Sequence, residues 1–576
     1  MAALALDAMA SVSYGPEAIV LVLALAGGAG IGLTLPVTIA IAVLLALLVA
    51  SYRSVIAAFP DGGGAYAVSR RHLGSRAALV AAASLIIDYV LNVAVSVAAG
   101  VAALTSAFPA LLPYAVWVCL GVLALVTLVN LGGIAHSARV FMAPTVLFVG
   151  SILAVIVVGL FRSTPLEPVT ASESVVSTQT VGVLLLLKAF SSGCAALTGV
   201  EAIANAVPSF RAPKVRRAQA AEVALGGVLG VMLIGLAVII EKFDIRPREG
   251  VTVLSQLTSA TLGDGFGYYL VQIATVVLLA LAANTSFGGL PTLLKVLAAD
   301  HYLPHRFAHR SAHDVHRWGV LVLAGLSAVL LVAAAGQMNT LVPLFAIGVF
   351  VGFTLAQVGM VVHWRRERPG DWWRPALPNL LGAVATAVAA MVTTAMKLAD
   401  GAWLVVVVLV ALALLMASVR RRYASDERPS TGRPSLPRAH PVVAVVPVKG
   451  ADAIARRSLA TAMSLAGEQV VAVHVCDLSG AGGAEEVARD WDAWGPPVPL
   501  VMLSGDMGDL AEPVADYIHR HYEGQPVLLV LGEPARDSWW DHALSDGSAD
   551  RLEERLGRVP GVLVCRSAPV AEQVSV

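Results

Sequence analysis

From residue 3 to residue 419 the chain repeats one pattern: a long apolar run, then a short polar break. A helix needs about 20 largely apolar residues to cross the hydrocarbon of a bilayer. Twelve runs are predicted to do so: 3–27, 33–58, 77–107, 111–132, 138–161, 180–209, 218–241, 266–296, 318–336, 339–363, 376–397 and 402–419. The breaks between them differ in charge. With the N-terminus placed in the cytoplasm, one set holds Arg70, Arg71, Arg76, Arg139, Arg211, Lys214, Arg216, Arg217, Arg306, Arg310, Arg317, Arg365, Arg366, Arg368 and Arg374, with Arg420, Arg421 and Arg422 after the last run. The other set holds only Arg162, Lys242, Arg246, Arg248 and Lys397. Short loops rich in Lys and Arg stay on the cytoplasmic side. The bias and the even span count therefore place both termini in the cytoplasm.

The pattern changes near residue 424. "ASDERPSTGRPSLPRAH" is polar and rich in Pro and Ser, which reads as a linker over 424–439. Beyond it the apolar runs shrink to strand length: "PVVAVVPV", "QVVAVHVC", "VPLVMLSG", "PVLLVLG" and "GVLVCRS". Amphipathic stretches such as "ADAIARRSLATAMSLAG" and "LAEPVADYIHRHY" lie between them. Alternating strands and helices predict a parallel α/β domain over 440–576. The division is thus a transmembrane domain 1–423, a linker, and a cytosolic domain.

Composition agrees with this pattern. The 576 residues are 57% hydrophobic and 14% charged, with a mean hydropathy of +0.77. Soluble domains are about 25% charged. Lys plus Arg and Asp plus Glu both number 39, and a zero net charge weighs against a nucleic-acid partner. Cys119, Cys194, Cys476 and Cys565 show neither metal nor disulfide spacing. Before residue 7 there is no basic segment, so no cleavable signal is expected.

The chemistry sits where the apolar runs are interrupted. "LDAMASVSYGPEA" puts Asp7, Ser11, Ser13, Tyr14, Gly15 and Pro16 inside the first run. Proline removes a backbone donor and glycine tolerates unusual dihedrals, so the helix is predicted to unwind near 11–16. "KAFSSGCAALTGVEAIANAVPSF" interrupts the sixth run at Ser191, Ser192 and Gly193, with Thr198 and Glu201 expected on one helix face. Two broken helices at corresponding positions of two halves point to an inverted-repeat carrier with a midplane site. In the third run Asp88, Asn92 and Ser96 recur every four residues beside Tyr89. Acids at membrane depth cost a few kcal/mol and face a cavity or a partner. Carboxylates, hydroxyls and an amide oxygen suit a hard cation. Spacing leaves K⁺, Na⁺ and a polyamine open.

These same stretches, with "FPDGGGAYAVSRRHLG", "LAANTSFGGLPTLL" and "VPLFAIGVFVGFTLAQ", resemble the amino acid–polyamine–organocation superfamily. Within it they are most similar to the KimA-type potassium importers, over nearly the whole chain. The resemblance implies a LeuT-like 5+5 inverted repeat with broken spans 1 and 6 and two further spans. It implies potassium uptake, by proton symport, in a homodimer. The tail is similar to universal-stress-protein-like domains, and the resemblance implies inhibitory binding of cyclic di-AMP there. Ligands for potassium carry over to Asp7, Tyr14, Asp88, Tyr89, Ser96, Thr198 and Glu201, with Asn92 standing where a threonine is expected. Phe345 stands where a tyrosine is expected, which removes one hydroxyl. Glu201 is the candidate for proton coupling. Only six residues precede Asp7, so either the start is misassigned or the first half-helix is short.

Other marks carry less. Lys188 reads as a side chain reaching the membrane edge. The loop 61–74 is either a gate or a simple connection. Asn284, Thr285 and Ser286 read as interhelical packing. The histidines of 300–318 show no metal register. The tail lacks a glycine-rich phosphate loop, which weighs against ATP. No nucleophile–base pair or metal cluster appears, so the chain is not expected to be an enzyme and no cofactor is expected. The alternatives to a potassium carrier are a proton-coupled amino acid or polyamine permease, and a sensor; the absence of an output motif weighs against the last.

Overall fold

A computed structural model describes residues 2–60, 62, 64–132, 138–166, 181–307, 316–367, 370–426, 442–476, 481–505, 511–532, 552–553, 555–557, 559 and 561–567. The chain forms two compact units, Met1–Arg428 and Pro429–Val576. Each is described separately.

The first unit is helical. It opens with α1 (Ala2–Leu23), α2 (Gly28–Ile31), α3 (Thr34–Ala58), α4 (Ala65–His72), α5 (Ser75–Ala107), α6 (Ala115–Leu131) and α7 (Ala138–Phe161). Then come α8 (Val183–Gly193), α9 (Ala202–Asn205), α10 (Lys214–Lys242), α11 (Val253–Leu262) and α12 (Phe266–Ala299). It closes with α13 (Arg317–Ala333), α14 (Met338–Glu367), α15 (Trp373–Met396) and α16 (Trp403–Asp426). Among the described residues eleven helical stretches are long and apolar enough to cross a membrane. The predicted ninth run is a shorter apolar helix, Arg317–Ala333. The helices divide by depth. The most apolar stretches of α1 and α5 are 89% and 83% buried, while those of α6 and α16 are 22% and 11% buried. Helices α1 and α5, which carry Asp7 and Asp88, are therefore interior, and the helices whose central stretches are apolar all round form the rim.

The first run is not unwound at residues 11–16. Helix α1 continues through Pro16 to Leu23. One proline removes one ladder hydrogen bond and crowds the preceding turn, and a membrane helix tolerates this inside a protein bundle. Ser11 and Ser13 donate to the carbonyls of Ala8 at 2.7 Å and Ala10 at 2.6 Å. The backbone departs from the α-helix later, through a 3₁₀ turn Ala24–Ala26 and Gly27 at φ 68°. The expectation of a broken first span at 11–16 is corrected accordingly.

The second unit is a five-stranded parallel sheet. Its strands are β1 (Val443–Pro447), β2 (Val470–Cys476), β3 (Leu500–Ser504), β4 (Val527–Gly532) and β5 (Val562–Ser567), in the order β3-β2-β1-β4-β5. Its helices are α17 (Ala453–Ala466), α18 (Ala481–Trp494) and α19 (Ala511–Tyr522). Asp452 caps α17 by accepting from the Ala455 amide at 2.6 Å. The period of two sorts β1 between two cores. Ala444 and Val446 pack with Leu459 and Trp491, whereas Val445 packs with Val514, Ile518 and Leu556. Strand order reverses between β1 and β4, the place where open α/β sheets take ligands.

Candidate ion-binding site

The sixth run supplies the break. Helix α8 stops at Gly193 and a 3₁₀ turn covers Cys194–Leu197. Thr198 is then extended, with φ −67° and ψ 152°, and Gly199 has φ 78°. The chain becomes helical again only at α9. Thr198 and Glu201 thus lie on irregular backbone and not on one helix face, which corrects the i, i+3 expectation. The reason is Gly199, whose conformation a residue with a Cβ resists.

Helix α1 runs against this break. The Ser11 hydroxyl donates to the Ala196 carbonyl at 2.8 Å, satisfying a group the helix has released. The Tyr14 hydroxyl lies 3.3 Å from Thr198 Oγ1. The approach at Gly199 is closer still. A Cβ there would lie 2.6 Å from the Ala8 amide nitrogen and 2.9 Å from Asp7 Oδ2. Glycine is needed both for φ and for space.

Helix α5 adds the third wall. Asp88, Asn92 and Ser96 are all buried. The Asn92 side chain meets the Asp7 carboxylate, its Nδ2 donates to Ser286 Oγ at 3.0 Å, and its Oδ1 accepts from Ser96 at 3.3 Å. Tyr89 is half-buried, and its ring fills the space that a Cβ on Gly289 would need. Asp7, Asp88 and Glu201 lie near enough to repel one another. One oxygen on each, Asp7 Oδ1, Asp88 Oδ1 and Glu201 Oε2, is buried without a hydrogen-bond partner. A cavity of about 10 Å³, room for about one water, is lined by Tyr52, Ser84, Asp88, Glu201 and Phe353. Like charges in such a site cost several kcal/mol unless a cation or protons neutralise them. Among the described residues no three His, Cys, Asp or Glu side chains converge to hold a resident metal ion. All eight predicted residues, Asp7, Tyr14, Asp88, Tyr89, Asn92, Ser96, Thr198 and Glu201, nevertheless fall around α1, α5 and the break.

One neighbour was not singled out by the sequence. Tyr52 of α3 lies among Asp88, Glu201 and Glu222. Ser286 of α12 accepts from Asn92 of α5, and its neighbour Asn284 accepts from Asn130 of α6 at 2.6 Å, both of them interhelical bonds. Lys188 lines a larger cavity of about 430 Å³ with Leu21, Ser192, Asn339 and Lys397. Phe345 is fully buried.

The 61–74 segment carries α4, and the glycines just before that helix meet the end of the broken run. A Cβ on Gly64 would lie 2.5 Å from Asn205 Oδ1, and one on Gly62 would lie 3.2 Å from the Asn205 carbonyl oxygen. From α4 the Tyr66 hydroxyl donates to Asp300 Oδ2 at 2.6 Å, and Arg70 forms an ion pair with the same carboxylate. Burial first, then the Asp300 bond, pushes the Tyr66 pKa up. The Asp300 bond raises that of Arg70. His72 stacks edge-on against His363 at 5.0 Å between ring centres. Burial, then His363, Arg71 and Arg366, lowers the His72 pKa. Most of the histidine loop falls outside the described residues, at 308–315.

Comparison with known proteins agrees with this picture. The family model described as amino acid permease matches residues 2–423. The model described as the KimA potassium transporter C-terminal domain matches residues 438–568. The potassium transporter KimA of Bacillus subtilis (strain 168) is 36% identical over 572 residues, covering 96% of this chain and 92% of that protein. This chain belongs to the KimA family. Its first unit is a helical membrane transporter of the permease type, and its second is the family's small α/β domain. A crystal structure of an Eremococcus coleocola manganese transporter, in complex with an aromatic bis-isothiourea substituted compound, aligns with a TM-score of 0.42 at 13% identity. The alignment covers 74% of this chain and 94% of that one. At that level the likeness carries no argument.

Proposed function

We propose that this chain imports potassium across the bacterial cytoplasmic membrane by proton symport. The observation that carries the reading is the set of three carboxylates, Asp7, Asp88 and Glu201, each with a buried oxygen lacking a partner, around the break at Thr198–Glu201. A monovalent cation in that space takes oxygen ligands from Asp7, Tyr14, Asp88, Tyr89, Asn92, Ser96, Thr198 and Glu201. The identity to a potassium transporter selects K⁺ among cations. Glu201 is the ligand through whose charge ion binding and proton movement are coupled. The permease family model favours a second reading, a proton-coupled amino acid or polyamine carrier. Against an amino acid stands Asp7, whose carboxylate lies against Gly199 and repels a substrate carboxylate.

The scaffold in this reading is a twelve-span LeuT-like repeat with α13 as the ninth span and both termini in the cytoplasm. The arginine-rich loops support the orientation. The protein works as a homodimer and not as an enzyme. The tail, a universal-stress-protein-like domain, binds cyclic di-AMP, and the strand reversal between β1 and β4 offers the place. A ligand inhibits only by binding two transport states unequally. The test is growth at low potassium of a bacterial host lacking its own importers, with the full chain and with residues 440–576 removed. Rescue by both, with inhibition by cyclic di-AMP confined to the full chain, is expected. Failure to rescue despite membrane expression contradicts potassium import, and equal inhibition of both chains removes the tail from regulation.

A further inference from the structure

Helix α10 carries one acid on its buried face. Glu222 is 0% exposed, and neither of its carboxylate oxygens has a hydrogen-bond partner. On its own helix it lies among Ala218, Ala221 and Leu225, all buried. An isolated carboxylate in such surroundings is kept only when a proton or cation neutralises it. The titratable groups that bear on it are Glu201 and the buried Tyr52 of α3. The other helices packed on α10 bring no basic side chain to it: α1 carries Asp7, Tyr14 and Glu17 but no Lys, Arg or His, α7 has no titratable residue between Phe141 and Phe161, Arg53 of α3 is exposed, and so are Arg216 and Arg217 of α10 itself. No hydrogen bond joins Glu222 to any of the eight candidate ion ligands.

Symport adds a constraint of its own. Ion and proton must be carried at the same time, so they need separate sites. A proton on Glu201 neutralises a group that faces Asp7 and Asp88, and so competes with the cation there. A proton on Glu222 does not. We propose that Glu222 is the binding group for the co-transported proton, held apart from the ion ligands and linked to them through the charge of Glu201. This rests on the reading of the chain as a proton-coupled potassium carrier. One proton from water on the side of entry is taken up by the Glu222 carboxylate, giving the neutral acid while the cation is bound. The acid returns the same proton to water on the other side, and no other bond changes.

The test uses the full-length protein in liposomes, following potassium uptake, a trapped pH indicator, and Rb⁺ exchange without net flux. In the wild type, inward potassium movement should acidify the lumen. Glu222→Gln keeps the size and removes the proton; it should lose the potassium-linked acidification while Rb⁺ exchange persists. Glu222→Asp keeps a carboxyl on a shorter stem; it should retain acidification with a shifted pH dependence, and it decides the matter where the glutamine variant does not fold. Acidification by Glu222→Gln equal to that of the wild type, or an unshifted pH dependence in Glu222→Asp, overturns the proposal alone. A wild type that moves potassium without protons overturns both this and the symport reading.

Discussion

The first and sixth runs carry the same warning signs, yet their backbones differ. Each has serines, a glycine and an acid inside an apolar stretch. Helix α1 continues through Pro16 and delivers Asp7 and Tyr14 from helical backbone. The sixth run stops at Gly193 and resumes at Ala202, with Thr198 extended and Gly199 left-handed between. The difference lies less in composition than in φ. Proline fixes a value the helix already uses, so it costs one bond; a glycine at φ 78° reverses the chain. Only the second kind of interruption frees backbone groups beside the acids.

The largest effect that would break this contrast comes from Gly199→Ala. The left-handed conformation costs an alanine about 1–2 kcal/mol, and its Cβ would lie 2.6 Å from the Ala8 nitrogen. Loss of uptake with a lowered unfolding temperature is expected. Full uptake would mean that the break does not depend on Gly199. Pro16→Ala is the complementary change. It restores a donor to a helix that is already continuous and removes the ring's clash with the preceding turn, so stability should rise, by up to about 3 kcal/mol, and uptake should persist. A loss as severe as that of Gly199→Ala would show that the first run does need an interruption there.

The smallest effect concerns α4, which follows the glycines that meet Asn205 at the end of the sixth run. The His72 pKa is lowered from its ordinary value of 6.5 by burial and by His363, Arg71 and Arg366. The unfolded chain therefore binds a proton more readily than the folded one. Its share of stability is present above about pH 6.5 and fades as pH falls through the lowered value. His72→Gln should flatten that acid-side fall in thermal unfolding. An unchanged slope would show that His72 titrates as it does in the unfolded chain.

Much of this architecture was legible because a bilayer imposes length and polarity on each element. The third run shows it best: spacing alone placed Asp88, Asn92 and Ser96 on one stripe, and all three are buried together on α5. Short polar elements were not legible. Helix α4 is only Ala65–His72, too brief to outline a period, and α11 falls in a connection. Conformation within the interruptions was only partly legible, since "SYGP" and "LTGV" look equally disruptive until φ is known. Glu222 escaped for a different reason. It follows the basic stretch "KVRRAQAAE", so it read as the edge of a span, whereas the helix begins at Lys214 and carries it into the interior. Tyr52 sits near the end of an uninterrupted apolar run and gave no signal.

The central claim is that the acids of a continuous first helix and of α5 meet the broken sixth run to hold potassium. The most direct measurement is potassium uptake into liposomes by purified wild type, Asp7→Asn and Asp88→Asn, each confirmed folded by its unfolding transition. Asparagine keeps the shape and removes the charge that offsets a desolvated cation. The account predicts uptake by the wild type and its loss in both variants with unfolding little changed. Uptake at the wild-type rate by both folded variants would contradict it.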